Sequence, residues 1–181
     1  MQIYLLRHAQ TTSNIGIYTG KDAELTETGV EQAKRAGMFF KDKKIDKIYC
    51  SKMKRAKQTL KEIKPYLKEI SISYREDLKE RSRGIYAHKP EEYKEAFEKF
   101  KKTEKSQPFE AFFRPPKGEN IPDLEIRADK VFNFLKKKHK NEKILVISHG
   151  FFMRFLVLRF FNLPMKEVQY FDIHNASISY F

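Results

Sequence analysis

Apolar residues recur along this chain in two rhythms. Short apolar runs bounded by charge read as buried strands, and longer stretches with apolar positions three or four apart read as helices. Residues 2–6 (QIYLL), 47–50, the alternating 70–74 and 143–147 predict four strands, and 169–173 with 176–180 a final strand pair. The helical period runs over residues 25–41, with Val30, Ala33, Gly37 and Phe40 on one face. Thr26 or Thr28 can cap this helix, and Thr28 with Glu31 has capping-box spacing. Ser51 is placed to cap a helix that runs to about Lys64 and is ended by Pro65, with Ala56, Leu60 and Ile63 inward. Residues 90–103 predict a very polar helix with Tyr93, Phe97 and Phe100 at helical spacing. Residues 123–138 predict another, through Leu124, Ala128, Val131 and Leu135, and a last helix begins near Phe151. Residues 108–122, rich in proline and aromatics, read as loop.

Strands alternating with helices predict an α/β domain on a largely parallel sheet. The expectation is one domain over residues 1–181, with 85–122 as a small lid. The length of 181 residues and a hydrophobic share of 40% suit a single core. The most apolar segment, 151–163, is broken by Arg154 and Arg159, so no membrane span is expected. The start is strand-like, and no signal peptide is read there. Cys50 stands alone, which rules out an internal disulfide and points to the cytoplasm; its apolar neighbours make it inert core. The net charge of +13 is compatible with steering of an anionic substrate, but the lysines are spread over most polar segments, as in a solvated surface. A phosphorylated small molecule is the expected partner; neither a membrane nor nucleic acid is.

In open α/β sheets ligands bind beyond the carboxyl ends of strands. The first strand ends in Arg7-His8-Ala9-Gln10-Thr11 and a later one in Ser148-His149-Gly150. Arg55 sits near the start of the helix after the second strand. Two arginines and two histidines at one sheet end suit a dianionic phosphate, because arginine makes bidentate contacts and helix N-termini favour anions. There is no glycine-rich phosphate loop and no H-E-x-x-H metal spacing. His8 is therefore the expected nucleophile, with no metal and no cofactor. A leaving alkoxide needs a proton, and both Asp77 and Glu80 follow the third strand. Position alone leaves that choice open.

These motifs resemble the histidine phosphatase superfamily over nearly the whole chain. Leu6 to Thr11 (LRHAQT) is similar to its L-R-H-G-E-T signature, with Ala9 and Gln10 as departures. Ser51 to Thr59 resembles S-x-x-x-R-A-x-Q-T, and Gly118-Glu119-Asn120 followed by Arg127 resembles G-E-S followed by arginine. Leu78 to Gly84 resembles the acid-bearing segment, which favours Glu80. The resemblance implies a three-layer α/β/α sandwich with a mixed sheet and a phosphorylated His8. It also implies that Arg7, Arg55, His149 and Asn14 hold the phosphoryl group, with Thr19, Gly20 and Gly150 completing the phosphate and substrate contacts. His88, in the segment Ile85-Tyr86-Ala87-His88, falls on the substrate side. Residues 18–22 (YTGKD) are similar to α-ribazole phosphatases and broad-specificity phosphomonoesterases. The short lid suits hydrolysis better than mutase-type phosphoryl transfer, which must exclude water. The remaining alternative is an inactive basic binding module, against which the intact His8, Arg7, Arg55, His149 and Glu80 argue.

Overall fold

The computed structural model describes residues 1–16, 23–103 and 112–181. Five strands form one sheet: β1 (Gln2–Arg7), β2 (Lys47–Ser51), β3 (Ile72–Arg75), β4 (Lys143–Ser148) and β5 (Ile178–Tyr180). Their order is β3-β2-β4-β1-β5, the first four parallel and β5 antiparallel to β1. The longer helices among the described residues are α1 (Glu27–Phe40), α2 (Lys54–Ile63), α3 (Pro90–Thr103), α4 (Ile121–Lys138) and α5 (Gly150–Phe160).

A parallel sheet needs both faces covered, and the period of two distributes the apolar residues accordingly. Tyr4, Leu6, Ile48, Cys50, Leu145 and Ile147 share a core with Phe40, Leu60 and Ile63 of α1 and α2. Ile3, Leu5, Tyr49, Ile144 and Val146 share the other with Leu124 and Val131 of α4 and Phe152 and Leu156 of α5. The result is the α/β/α sandwich with a mostly parallel mixed sheet that the sequence leads one to expect.

Three local expectations are corrected, and the choice between two caps for α1 is resolved. Residues 169–173 form no strand: Met165–Tyr170 is a 3-10 helix that Pro164 precedes, and the chain beyond it runs extended to bring the Ile173 carbonyl to Arg7. Only β5 remains of the expected strand pair. Ser51 ends β2 and does not cap α2; its hydroxyl accepts from Met53 N at 3.3 Å and meets His149 Nε2 at 2.8 Å, and α2 begins at Lys54 with Met53 at its N-cap. α1 is capped by Thr26, whose hydroxyl accepts from Gly29 N at 3.0 Å, so the Thr28–Glu31 pair is not used. α4 begins two residues early because Asn120 caps it reciprocally with Asp123 and Pro122 fits its first turn.

Gly29 shows how tightly α1 is set against the loop after β1. A Cβ there would lie 2.0 Å from the Gln10 carbonyl oxygen, a backbone atom that cannot rotate away. That carbonyl also accepts from Thr26 N at 3.1 Å. Gly29→Ala must therefore push α1 off the loop that follows His8. An overpacking cost of about 1–3 kcal/mol is expected, read as a lower urea midpoint; an unchanged midpoint would contradict this contact.

Candidate active site

Arg7 and Ser148 are register partners at the carboxyl ends of β1 and β4. His8 and His149 are the next residue on each strand, and His8 N donates to Ser148 O at 2.9 Å. The two imidazoles thus arrive side by side, 5.1 Å between ring centroids, because the parallel register brings them there. Both are almost fully buried.

Arg55, the second residue of α2, directs its Nε–H at both rings, 3.2 Å from His8 Nε2 and 3.1 Å from His149 Nδ1. A guanidinium can only donate, so each of these ring nitrogens carries a lone pair. The proton then sits on the opposite nitrogen of each ring. His8 Nδ1–H donates to its neighbour's carbonyl, Ala9 O, at 2.8 Å, and His149 Nε2–H donates to Ser51 Oγ at 2.8 Å. Burial first, and Arg55 second, hold both histidines well below the ordinary 6.5. His8 Nε2 is therefore an unprotonated nitrogen beside an arginine at neutral pH.

The surrounding residues fix this pair. Thr59 Oγ1 accepts from Ala9 N at 3.0 Å and donates to Arg55 O at 2.8 Å. Asn175 Nδ2 donates to His8 O at 3.0 Å and to Asn14 Oδ1 at 3.2 Å. Arg7 donates to Ile173 O at 2.5 Å, and its shaft passes over Gly150, where a Cβ would lie 3.0 Å from Arg7 Nε. Gly150 thus makes room for Arg7.

Glu80 meets the first amides of α5. It accepts from Phe151 N at 3.1 Å, from Phe152 N at 3.0 Å and from Arg81 N at 2.8 Å. The helix N-terminus that could have met a phosphate therefore holds the Glu80 side chain. Arg127 steadies the segment below it by donating to Asp77 O and Lys79 O, and pairs with Glu119 through two nitrogens. Asp77 is occupied differently, by a two-point pair with Arg75.

Arg7, His8, Asn14, Arg55 and Glu80 line one cleft of about 600 Å³. Its outer wall includes Lys79, Arg81, Arg83, Tyr86, His88 and Tyr93. His149 and Gly150 stand behind this lining, fully buried. Thr19 and Gly20 lie outside the described residues. Ser51, Thr59 and Asn175 were not foreseen in these supporting roles; Ser51 and Thr59 stand in a quoted motif, but nothing in the spacing marks Asn175. Among the described residues no three histidine, cysteine or carboxylate side chains converge to hold a metal. No helix among them is long and apolar enough to cross a membrane.

The buried neutral histidines have a consequence for stability. The unfolded chain takes up protons below pH 6.5, the ordinary histidine value, while the native pair does not. Stability is thus complete above that pH and falls as pH drops below it. His149→Gln should make the decline of the urea midpoint below about pH 6.5 shallower. A decline as steep as in the parent would contradict the assignment.

Comparison with known proteins agrees with this geometry. The family described as "Histidine phosphatase superfamily (branch 1)" matches residues 3–181. A 6-phosphofructo-2-kinase/fructose-2,6-bisphosphatase of Caenorhabditis elegans is 29% identical over 174 residues, 94% of this chain; the chain spans 36% of that relative's length. A metal-independent phosphoserine phosphatase of Arabidopsis thaliana is 31% identical over 172 residues, 87% of this chain and 68% of the relative. The crystal structure of the α-ribazole phosphatase of Shigella flexneri superposes with a TM-score of 0.84 at 21% identity, covering 99% of this chain and 89% of that one, which is a likeness of fold. With its two strand-end histidines, its paired arginines and a family match over residues 3–181, this chain belongs to the histidine phosphatase superfamily.

Proposed function

We propose that this chain hydrolyses small phosphomonoesters through a phosphohistidine on His8. The observation that carries the reading is the orientation of the His8 ring. Its Nδ1–H is held by Ala9 O, which leaves Nε2 as the nucleophilic nitrogen on the cleft. The substrate phosphoryl group sits against Arg7, Arg55 and Asn14, with His149 behind. Two guanidinium groups neutralise its charge, and phosphoryl transfer needs little beyond such positioning and electrostatic support.

In the first step His8 Nε2 forms a bond to phosphorus as the ester P–O bond breaks. Glu80 gives its proton to the departing alkoxide. Each Glu80 oxygen accepts an α5 amide on one side, and Oε2 keeps a position for a proton. The alcohol leaves. Water then attacks phosphorus, Glu80 takes its proton, and the P–N bond breaks to release phosphate and restore His8. Arg7 and Arg55 supply the positive charge that a metal would otherwise bring, so no metal or cofactor enters the cycle.

Residues 1–181 form one catalytic unit in this reading, with 85–122 as a short lid. Tyr86, His88 and Tyr93 place part of that segment on the cleft wall. A cleft of about 600 Å³ with Lys79, Arg83 and Lys89 at its margin suits an anionic metabolite. The phosphoserine and fructose-2,6-bisphosphate named for two relatives are of that class. A cytoplasmic location is part of the same proposal, supported by a lone buried cysteine.

Labelled substrate, quenched without acid, should leave acid-labile, base-stable label on the protein. His8→Ala should abolish both label and turnover, and label persisting in that variant overturns the assignment. Activity should also survive excess EDTA; loss reversed by Mg²⁺ or Zn²⁺ would contradict the metal-free cycle.

Glu80 is tested through the leaving group. General acid catalysis contributes about 10²–10⁴-fold and matters most for poor leaving groups. Glu80→Gln should slow alkyl phosphate hydrolysis on that order and p-nitrophenyl phosphate much less. If a folded Glu80→Gln slows both equally, the carboxylate positions α5 and Arg81 and another group gives the proton.

A further inference from the structure

We propose that the end of the sheet opposite the cleft docks on an anionic phospholipid surface. The four parallel strands all begin at this end, so the turns that feed them lie together. Asp46 N donates to Lys143 O, Gln2 N to Glu142 O and Ile48 N to Ser71 O, which ties those turns to one another. Segments 41–47, 61–69 and 136–143 hold twelve lysines against five carboxylates. That excess is more than half of the net +13 of the chain. Among the described residues, Lys44 alone of the twelve has a carboxylate partner, Asp46 at 3.6 Å. The lysines that looked scattered along the sequence are gathered by the parallel topology.

The same end exposes apolar side chains. Met38 and Phe39 in the last turn of α1 are 57% and 46% accessible, and Phe161, just past α5, is 57%. Between α4 and α5 lies a groove lined by Met1, Phe132, Phe160 and Phe181, with Lys136, Lys137 and Lys140 beside it. Lys43 lies 4.3 Å from the centroid of the Phe39 ring. Aromatic and aliphatic tips among lysines are the pattern of a surface that inserts shallowly between headgroups while its charges meet lipid phosphates. The three segments contain no arginine, the side chain best suited to planar recognition of phosphates and bases in nucleic acid. Turns rich in lysine and without arginine, beside an exposed Met38, fit a diffuse anionic sheet better than a strand of bases. The cleft, at the carboxyl ends of the strands, then faces away from the membrane and stays open to solutes. A peripheral face leaves no long hydropathy run, which is why the sequence points to no membrane partner.

The test is co-sedimentation of the full chain with vesicles of phosphatidylcholine alone and of phosphatidylcholine and phosphatidylserine in equal parts. Binding is expected only to the second kind, and to weaken with salt. Lys136→Glu/Lys137→Glu/Lys140→Glu should lower it more than tenfold. Lys52→Glu/Lys94→Glu/Lys117→Glu, which makes the same change in net charge near the cleft end, should leave most of it. Phe39→Ser and Phe161→Ser should each weaken it several-fold, with circular dichroism verifying their fold. Equal loss in the two triple variants, no effect of either Phe substitution, or preference for single-stranded RNA over the anionic vesicles would each overturn the proposal. None of these readouts depends on turnover, so the result is independent of the phosphatase reading.

Discussion

One N–H bond organises the centre of this protein. Arg55 Nε–H lies between His8 Nε2 and His149 Nδ1, in a place from which water is largely excluded. Because a guanidinium only donates, both rings must present lone pairs to it. That requirement sets both tautomers and in turn calls for the Ala9 carbonyl and the Ser51 hydroxyl on the far sides. Burial alone would favour neutral imidazoles; Arg55 reinforces that state and gives it a direction.

The sheet makes such an arrangement affordable. A cation set against buried neutral rings is costly unless a rigid frame and further partners hold it. Parallel register brings the strand ends to one level, and Thr59 joins the first turn of α2 to the loop after β1. The Glu80 side chain sits on the first amides of α5, so the start of that helix is satisfied and the Glu80 oxygens are held at the rim of the cleft. Arg127 and Glu119 keep that segment in place from α4 and the turn before it.

What could be read from the sequence was whatever repeats locally or ends abruptly. Buried strands announce themselves as apolar runs, and His8, His149 and Arg55 stand where such runs stop. Contacts that close over long stretches of chain leave no spacing to read: Asn175 lies 167 residues from the carbonyl it meets. The start of α2 was misplaced for a related reason, since the Ser51 hydroxyl meets His149, 98 residues away, as well as Met53 N at the helix entry. Residues 169–173 alternate like a strand, yet the Ile173 carbonyl is taken by Arg7 and not by a ladder. The grouping of lysines at one end was invisible for the opposite reason, because proximity across parallel strands scatters along a chain.

The late arrival of Asn175 and Ile173 bears on synthesis. A nascent chain that has emerged as far as the start of α5 already carries His8, Arg55 and His149. It still lacks the amide that holds the His8 carbonyl and the carbonyl that anchors Arg7. The strand-end geometry around His8 and Arg7 is therefore completed only when Ile173 and Asn175, made long after β1, fold back onto it.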